Sequence, residues 1–241
     1  MIIDAHNHLG IRLGAQQDAA QLVAKMDRAG VDRAVCFPFV EGNFTNDPVR
    51  KAVEQFPDRI IPFCAVNPWG PGAREELRAC VDGFGAKGVK LHPTLHGYRL
   101  SDAEVTDPVV EVIDEFGLVI ICHGGSDLYN SPAEFAIFTA RYPNIRVLMA
   151  HSGMFWLNDE AIEVAKQRRN LFLETSRVPV FEVARSVAAI GADRVVFGTD
   201  SPFVDYESEV TKLRRAVPDE EDFKQVAGGN LAKLLGLDGE A

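Results

Sequence analysis

The chain has 241 residues, 46% of them hydrophobic and 25% charged, with a formal net charge of −10. That composition suits a globular α/β domain with a full-sized core, and the charge argues against nucleic acid or an anionic membrane surface as partner. No apolar run approaches the ~18 residues of a membrane span.

Met1 leads directly into a strand-like run, without a basic segment or an apolar leader, so no signal peptide is expected. Cys36, Cys64, Cys80 and Cys122 are widely spaced and form no C-x-x-C. They read as buried free thiols, and the cytoplasm is the expected location.

In chain order, eight short runs rich in Val, Ile and Phe fall at 2–8, 33–39, 59–66, 87–92, 118–123, 145–151, 171–175 and 195–200. Continuous apolar runs suit parallel strands buried on both faces. Between and after them lie helix-period segments at 15–29, 48–56, 72–84, 108–116, 132–141, 158–167, 179–190 and 207–217. Gly30, Gly117 and Gly191 stand where helices would end, and Ser131-Pro132 where one would begin. Eight β-then-α units predict a (β/α)₈ TIM barrel spanning 1–241 as a single domain. The stretch Gly228-Gly229-Asn230 reads as the cap of a final helix packed on the barrel. A doubly wound open sheet is the competing fold, but no G-x-G-x-x-G follows any strand.

The first strand carries His6 and His8 on one face, together with Asp4, because side chains alternate along a strand. Taken alone, His-x-His fits an exposed edge strand as well as a metal site. The other strands decide between them. His92, His123, His151 and Asp200 each close a predicted strand, and His96 follows just after the fourth. In a barrel these C-terminal ends meet at one mouth. Imidazoles and a carboxylate converging there predict a divalent-metal centre, most simply Zn²⁺, with Mn²⁺ as the alternative. His6, His8 and His123 would supply nitrogens, and Asp200 would bind the ion or act as general base. His151 would polarise a substrate carbonyl, shuttle a proton or join a second metal. Lys90 shares the strand parity of His92, and either could serve a second metal or the substrate. For Lys90, an ion pair with an acid such as Glu174, a hydrogen bond to substrate and a carboxylated bridge between two metals all stay open. Arg177, Tyr98 and Trp156 are weaker candidates for binding a small-molecule substrate. Arg177 fits either a carboxylate clamp or a loop ion pair.

The ordered stretches Ile3-Asp4-Ala5-His6-Asn7-His8, Gly88-Val89-Lys90-Leu91-His92-Pro93, Ile121-Cys122-His123-Gly124-Gly125, Ala150-His151-Ser152-Gly153, Leu173-Glu174-Thr175-Ser176 and Phe197-Gly198-Thr199-Asp200-Ser201-Pro202 run the length of the chain. Together they resemble the amidohydrolase superfamily, in the "amidohydrolase 2" branch that includes aminocarboxymuconate semialdehyde decarboxylase. The resemblance implies a metal, usually Zn²⁺, held by His6, His8, His123 and Asp200, with His151 acting on substrate or water. Dinuclear members carboxylate a lysine on the fourth strand, whereas the decarboxylase-like branch is mononuclear. The chain lacks the large insertions of the longer decarboxylases. The implied activity is hydrolysis of a small amide, ester or lactone, with decarboxylation or hydration of a small carboxylate as the alternative. A homodimer is expected by analogy.

Overall fold

The computed structural model describes residues 1–125 and 127–237. Nine strands make one sheet: β1 (Ile3–Arg12), β2 (Ala15–Gln17), β3 (Arg33–Pro38), β4 (Ile60–Ala65), β5 (Gly88–Leu91), β6 (Val119–His123), β7 (Val147–Ala150), β8 (Leu171–Glu174) and β9 (Val195–Val196). β2 pairs antiparallel with β1, while β1 and β3 through β9 are parallel neighbours in sequence order. No strand order reverses, which removes the doubly wound alternative. The segment after β9 returns to β1: Ala5 N donates to Phe197 O, Asp200 N to His6 O and His8 N to Ser201 O. Those bonds, with the bridge between Asn7 and Ser201, close a TIM barrel.

The helices are α1 (Ala19–Ala29), α2 (Asp47–Gln55), α3 (Ala73–Phe84), α4 (Pro93–His96), α5 (Ala103–Glu115), α6 (Pro132–Arg141), α7 (Asn158–Gln167), α8 (Val180–Ile190), α9 (Tyr206–Ala216), α10 (Glu220–Lys224) and α11 (Asn230–Leu235). Two apolar layers result from strands buried on both faces. The outer layer lies between strands and helices. The inner one fills the barrel with Ile3, Val35, Phe37, Phe63, Ile121 and Leu148, and Leu231 and Leu234 of α11 plug it from below. Asn230 donates to Ala192 O at 2.7 Å and Val195 O at 2.8 Å, tying α11 to the start of β9. It thus sits inside a helix that continues from a π turn at 225–229, instead of capping a new one. An Asn230→Leu variant loses both of these buried hydrogen bonds and is expected to cost about 1–3 kcal/mol, read from its urea midpoint.

Local chemistry moves several boundaries away from the hydrophobic pattern. The predicted helix at 15–29 is split, because Gly14, at φ 80°, turns the chain into a hairpin and residues 15–17 pair with β1. Asp18 then caps α1 in a reciprocal box with Gln21. The helix predicted at 108–116 begins at Ala103, where the Asp102 side chain accepts from Glu104 N, and it runs through Pro108. β9 is only two residues long, so Asp200 lies beyond its strand. His92 caps α4, and His151 opens a 3₁₀ turn. All four cysteines are free and buried, as their apolar settings predict. No helix among the described residues is long and apolar enough to cross a membrane.

Candidate active site

A cavity of about 330 Å³ opens at the C-terminal end of the barrel strands. It gathers eight of the ten candidate residues: His6, His8, Lys90, His92, His123, His151, Arg177 and Asp200. Strand alternation and the closing hydrogen bonds bring His6 and His8 of β1 against Asp200. His6 Nε2 lies 3.2 Å, and His8 Nε2 3.1 Å, from the same oxygen, Asp200 Oδ1.

One carboxylate orients two of these imidazoles. Glu174, at the end of β8, accepts from His6 Nδ1 at 3.1 Å and from Ser176 Oγ at 2.8 Å. Ser176 Oγ in turn accepts from His151 Nδ1 at 2.9 Å. Main-chain N–H groups of His151 and Ser176 also donate to Glu174. Both rings are thereby held with Nδ1 occupied and Nε2 free on the opposite side. The space for this carboxylate comes from Gly198, where a Cβ would stand 2.1 Å from Glu174 Oε1.

These donors fit a divalent cation. One ligand atom each from His6, His151 and Asp200 lie within 4.8 Å of one another. Burial drives His6 far below the usual imidazole range, so its Nε2 is a lone pair facing a carboxylate oxygen. Two acceptors at that distance repel unless positive charge faces them, which the Lys90 ammonium, 3.2 Å from His6 Nε2, supplies in part and a bound divalent ion would supply in full. Ligands at ~2.0–2.1 Å from a tetrahedral ion stand about 3.3 Å apart, close to the observed spacing. That cluster includes His151, and neither His8 nor His123. The His123 ring is stacked 4.0 Å from that of His92 and lies edge-on to His151.

Lys90 is buried, and burial pushes its pKa down to about 8. Its Nζ lies 3.2 Å from His6 Nε2 and 4.8 Å from the centre of the Phe37 ring. Glu174 is thus occupied by His6 and Ser176, and Lys90 faces the donor cluster itself. Asp4 sits beneath, accepting from Thr199 N, Thr199 Oγ1 and His6 N, which couples β1 to the Asp200 loop. For Asp200, burial works to raise the pKa, but the hydrogen bond with His8 and the nearby His151 outweigh it and hold the carboxyl ionised.

The backbone here is unusual. His151, Ser152, Met154, Arg177 and Asp200 are the non-glycine residues with positive φ among those described, and three of the five line the cavity. Such conformations cost on the order of 1–3 kcal/mol each and cluster at functional sites.

Titration of the site reaches the fold. Burial depresses His6, His8, His92, His123 and His151, the last to about 4, and raises Asp4 to about 6 and Glu174 to about 8. Below pH 6.5 the unfolded chain takes up protons on these histidines before the folded one does, so acid favours unfolding. The two carboxyls act oppositely, binding protons first in the folded state. The depressed histidines outnumber the raised carboxyls, so metal-free protein is expected to lose stability as the pH falls from 6.5 toward 4.5. Urea midpoints at pH 7 and pH 5 check this, and a midpoint unchanged or higher at pH 5 would refute it.

Two candidates fall elsewhere. Tyr98 is 2% exposed and does not line the cavity. Trp156 is 81% exposed on the loop after β7 and does not line it either. Alternation along a strand does not extend into loops, so their directions were not readable. Arg177 does reach the site, with Nε 2.9 Å from Asp200 Oδ2. Arg12, Glu41 and Leu95 also line the cavity. Of these, Arg12 had a readable signal, since it shares the parity of His6 and His8.

The chain resembles solved structures along nearly its full length. An uncharacterized TIM-barrel protein, Bb4693, from Bordetella bronchiseptica superposes with a TM-score of 0.81 at 19% identity, covering 99% of each chain. A probable 2-pyrone-4,6-dicarboxylic acid hydrolase from Acinetobacter baumannii, with citric acid bound, gives 0.77 at 15%, covering 98% of this chain and 99% of that one. A dihydroxybenzoic acid decarboxylase from Polaromonas sp. JS666, with manganese and 2-nitroresorcinol bound, gives 0.76 at 16%, covering 98% and 97%. At these identities the likeness is one of fold. The amidohydrolase family model, however, matches residues 3–237, and the chain belongs to that family.

Proposed function

We propose that the protein is a metal-dependent hydrolase of a small, anionic ester, lactone or amide. The observation that carries this reading is the convergence of His6 Nε2 and His8 Nε2 on Asp200 Oδ1, with His6 held neutral. His6, His8, His123 and Asp200 would hold the ion, with His151 beside them. Nitrogen and carboxylate donors suit Zn²⁺ or Mn²⁺, and manganese is present in the Polaromonas decarboxylase. A divalent ion bound there supplies Lewis acidity toward a carbonyl and acidifies water.

The chain's own residues do the rest. Asp200, ionised at neutral pH, accepts the proton of the attacking water. His151 keeps its Nδ1 proton on Ser176, so its Nε2 can accept a hydrogen bond or a proton at the reacting side. Arg177, beside Asp200, offers a guanidinium to a substrate carboxylate. Lys90 adds a donor from the cavity floor.

A second reading is decarboxylation, favoured by the three cationic side chains, Arg12, Lys90 and Arg177, that line one small cavity. Metal-loaded protein incubated in ¹⁸O-water with carboxylated lactones and esters and with hydroxybenzoates separates the two. Label entering the product supports hydrolysis. CO₂ release without label replaces it with decarboxylation. Turnover unaffected by removal of the metal refutes both.

A further inference from the structure

A second guanidinium stands at the rim of the cavity. Arg12 is the last residue of β1, and the Leu13-Gly14 turn that follows carries the chain away into β2, leaving the Arg12 side chain at the mouth. Its guanidinium carbon lies 5.1 Å from the centre of the Phe203 ring and 6.0 Å from that of Phe39. Phe203 also contacts His8, and the Arg177 guanidinium approaches it to 5.6 Å. One aromatic ring therefore positions two cations. Arg177 reaches inward to Asp200, and Arg12 stands at the rim.

Arg12 is paired with Glu41, Nη1 to Oε1 at 2.5 Å, and the two side chains are 34% and 28% exposed. A partly solvated pair of this kind contributes little to folding. Glu41 also lines the cavity, so its carboxylate occupies a place that solutes entering the mouth can reach. The protein thus places a carboxylate of its own on the guanidinium at the entrance. An incoming carboxylate can replace it without changing the hydrogen-bond chemistry of Arg12. A substrate with one carboxylate is served by Arg177 alone. One with two can span both cations.

We propose that Arg12 is a specificity-determining residue that binds a second, distal carboxylate, so that the preferred substrates are dianions and Glu41 is displaced when they bind. This rests on the anionic-substrate reading above, but not on whether the reaction is hydrolysis or decarboxylation.

Binding measured without turnover tests it. Manganese-loaded protein is titrated calorimetrically with benzoate and with benzene-1,3-dicarboxylate, after metal content has been checked in every variant. The wild type is expected to bind the dicarboxylate more tightly. Arg12→Ala should weaken dicarboxylate binding about tenfold more than benzoate binding, and Arg12→Lys should recover part of that loss. Glu41→Gln should strengthen dicarboxylate binding severalfold, a gain that mere loss of structure does not produce. Wild-type protein that binds neither probe, or both alike, overturns the proposal, as does an Arg12→Ala variant that weakens both equally. Because no product is measured, failure of either proposed reaction leaves this result standing. Failure of the dianion preference likewise leaves the reaction class untouched.

Discussion

Asp200→Asn is expected to reduce kcat by about 10³-fold while leaving the fold intact. The side chains are nearly isosteric, so the cavity keeps its shape. An amide, however, has no basic oxygen at neutral pH to take a proton from water. It also removes the negative charge that now faces His6, His8 and Arg177. Steady-state rates should be paired with metal analysis, because Asp200 is placed both as a ligand and as the proton acceptor. A variant that retains its metal and loses turnover isolates the proton-transfer role. A variant that loses both assigns the residue chiefly to the ion. Retention of more than a tenth of the wild-type kcat would remove Asp200 from the mechanism.

The second large effect is expected at a residue without direct contact to substrate. Glu174→Gln should weaken metal binding 10- to 100-fold, read by competition with a chromogenic chelator. Glu174 accepts from His6 Nδ1, Ser176 Oγ and two main-chain N–H groups. Glutamine must present its NH₂ to some of these donors, and the Nδ1 protons of His6 and His151 lose their fixed acceptors. Each ring can then turn or change tautomer, and its Nε2 no longer points to a common centre. Unchanged metal affinity would show that packing alone orients the two histidines. Gly198 belongs to the same arrangement, since any side chain there would occupy the position of Glu174 Oε1.

Much of this was legible before any coordinates. Eight parallel strands and their order follow from apolar runs separated by helix-length segments, and strand ends in a barrel share one mouth. His6, His8, His92, His123, His151 and Asp200 were therefore placed together, although the strands predicted to end at His92, His151 and Asp200 stop short of them. Alternation was the reliable guide: it aligned His6 with His8 and Lys90 with His92, and it extends to Arg12. It fails where the chain leaves the sheet. Tyr98 follows the left-handed Gly97 that ends α4, and its ring turns into the core. Trp156 follows four successive residues of positive φ, 151–154, and is carried outward. The partner of Lys90 was not readable for another reason. Glu174 stood near enough in the barrel to suggest an ion pair, but four competing donors at the end of β8 were invisible in one dimension.

The left-handed residues at the mouth set this protein's stability against its chemistry. His151, Arg177 and Asp200 all hold a conformation that glycine adopts freely and other residues resist. Glycine at Arg177 would relax the main chain and remove a guanidinium from beside Asp200. A search for thermostable variants of this barrel would therefore be drawn toward the positions it most needs to keep. Selection for heat resistance alone should enrich inactive proteins, and the same screen run under a requirement for bound metal should direct the gains to the helices and the base of the barrel.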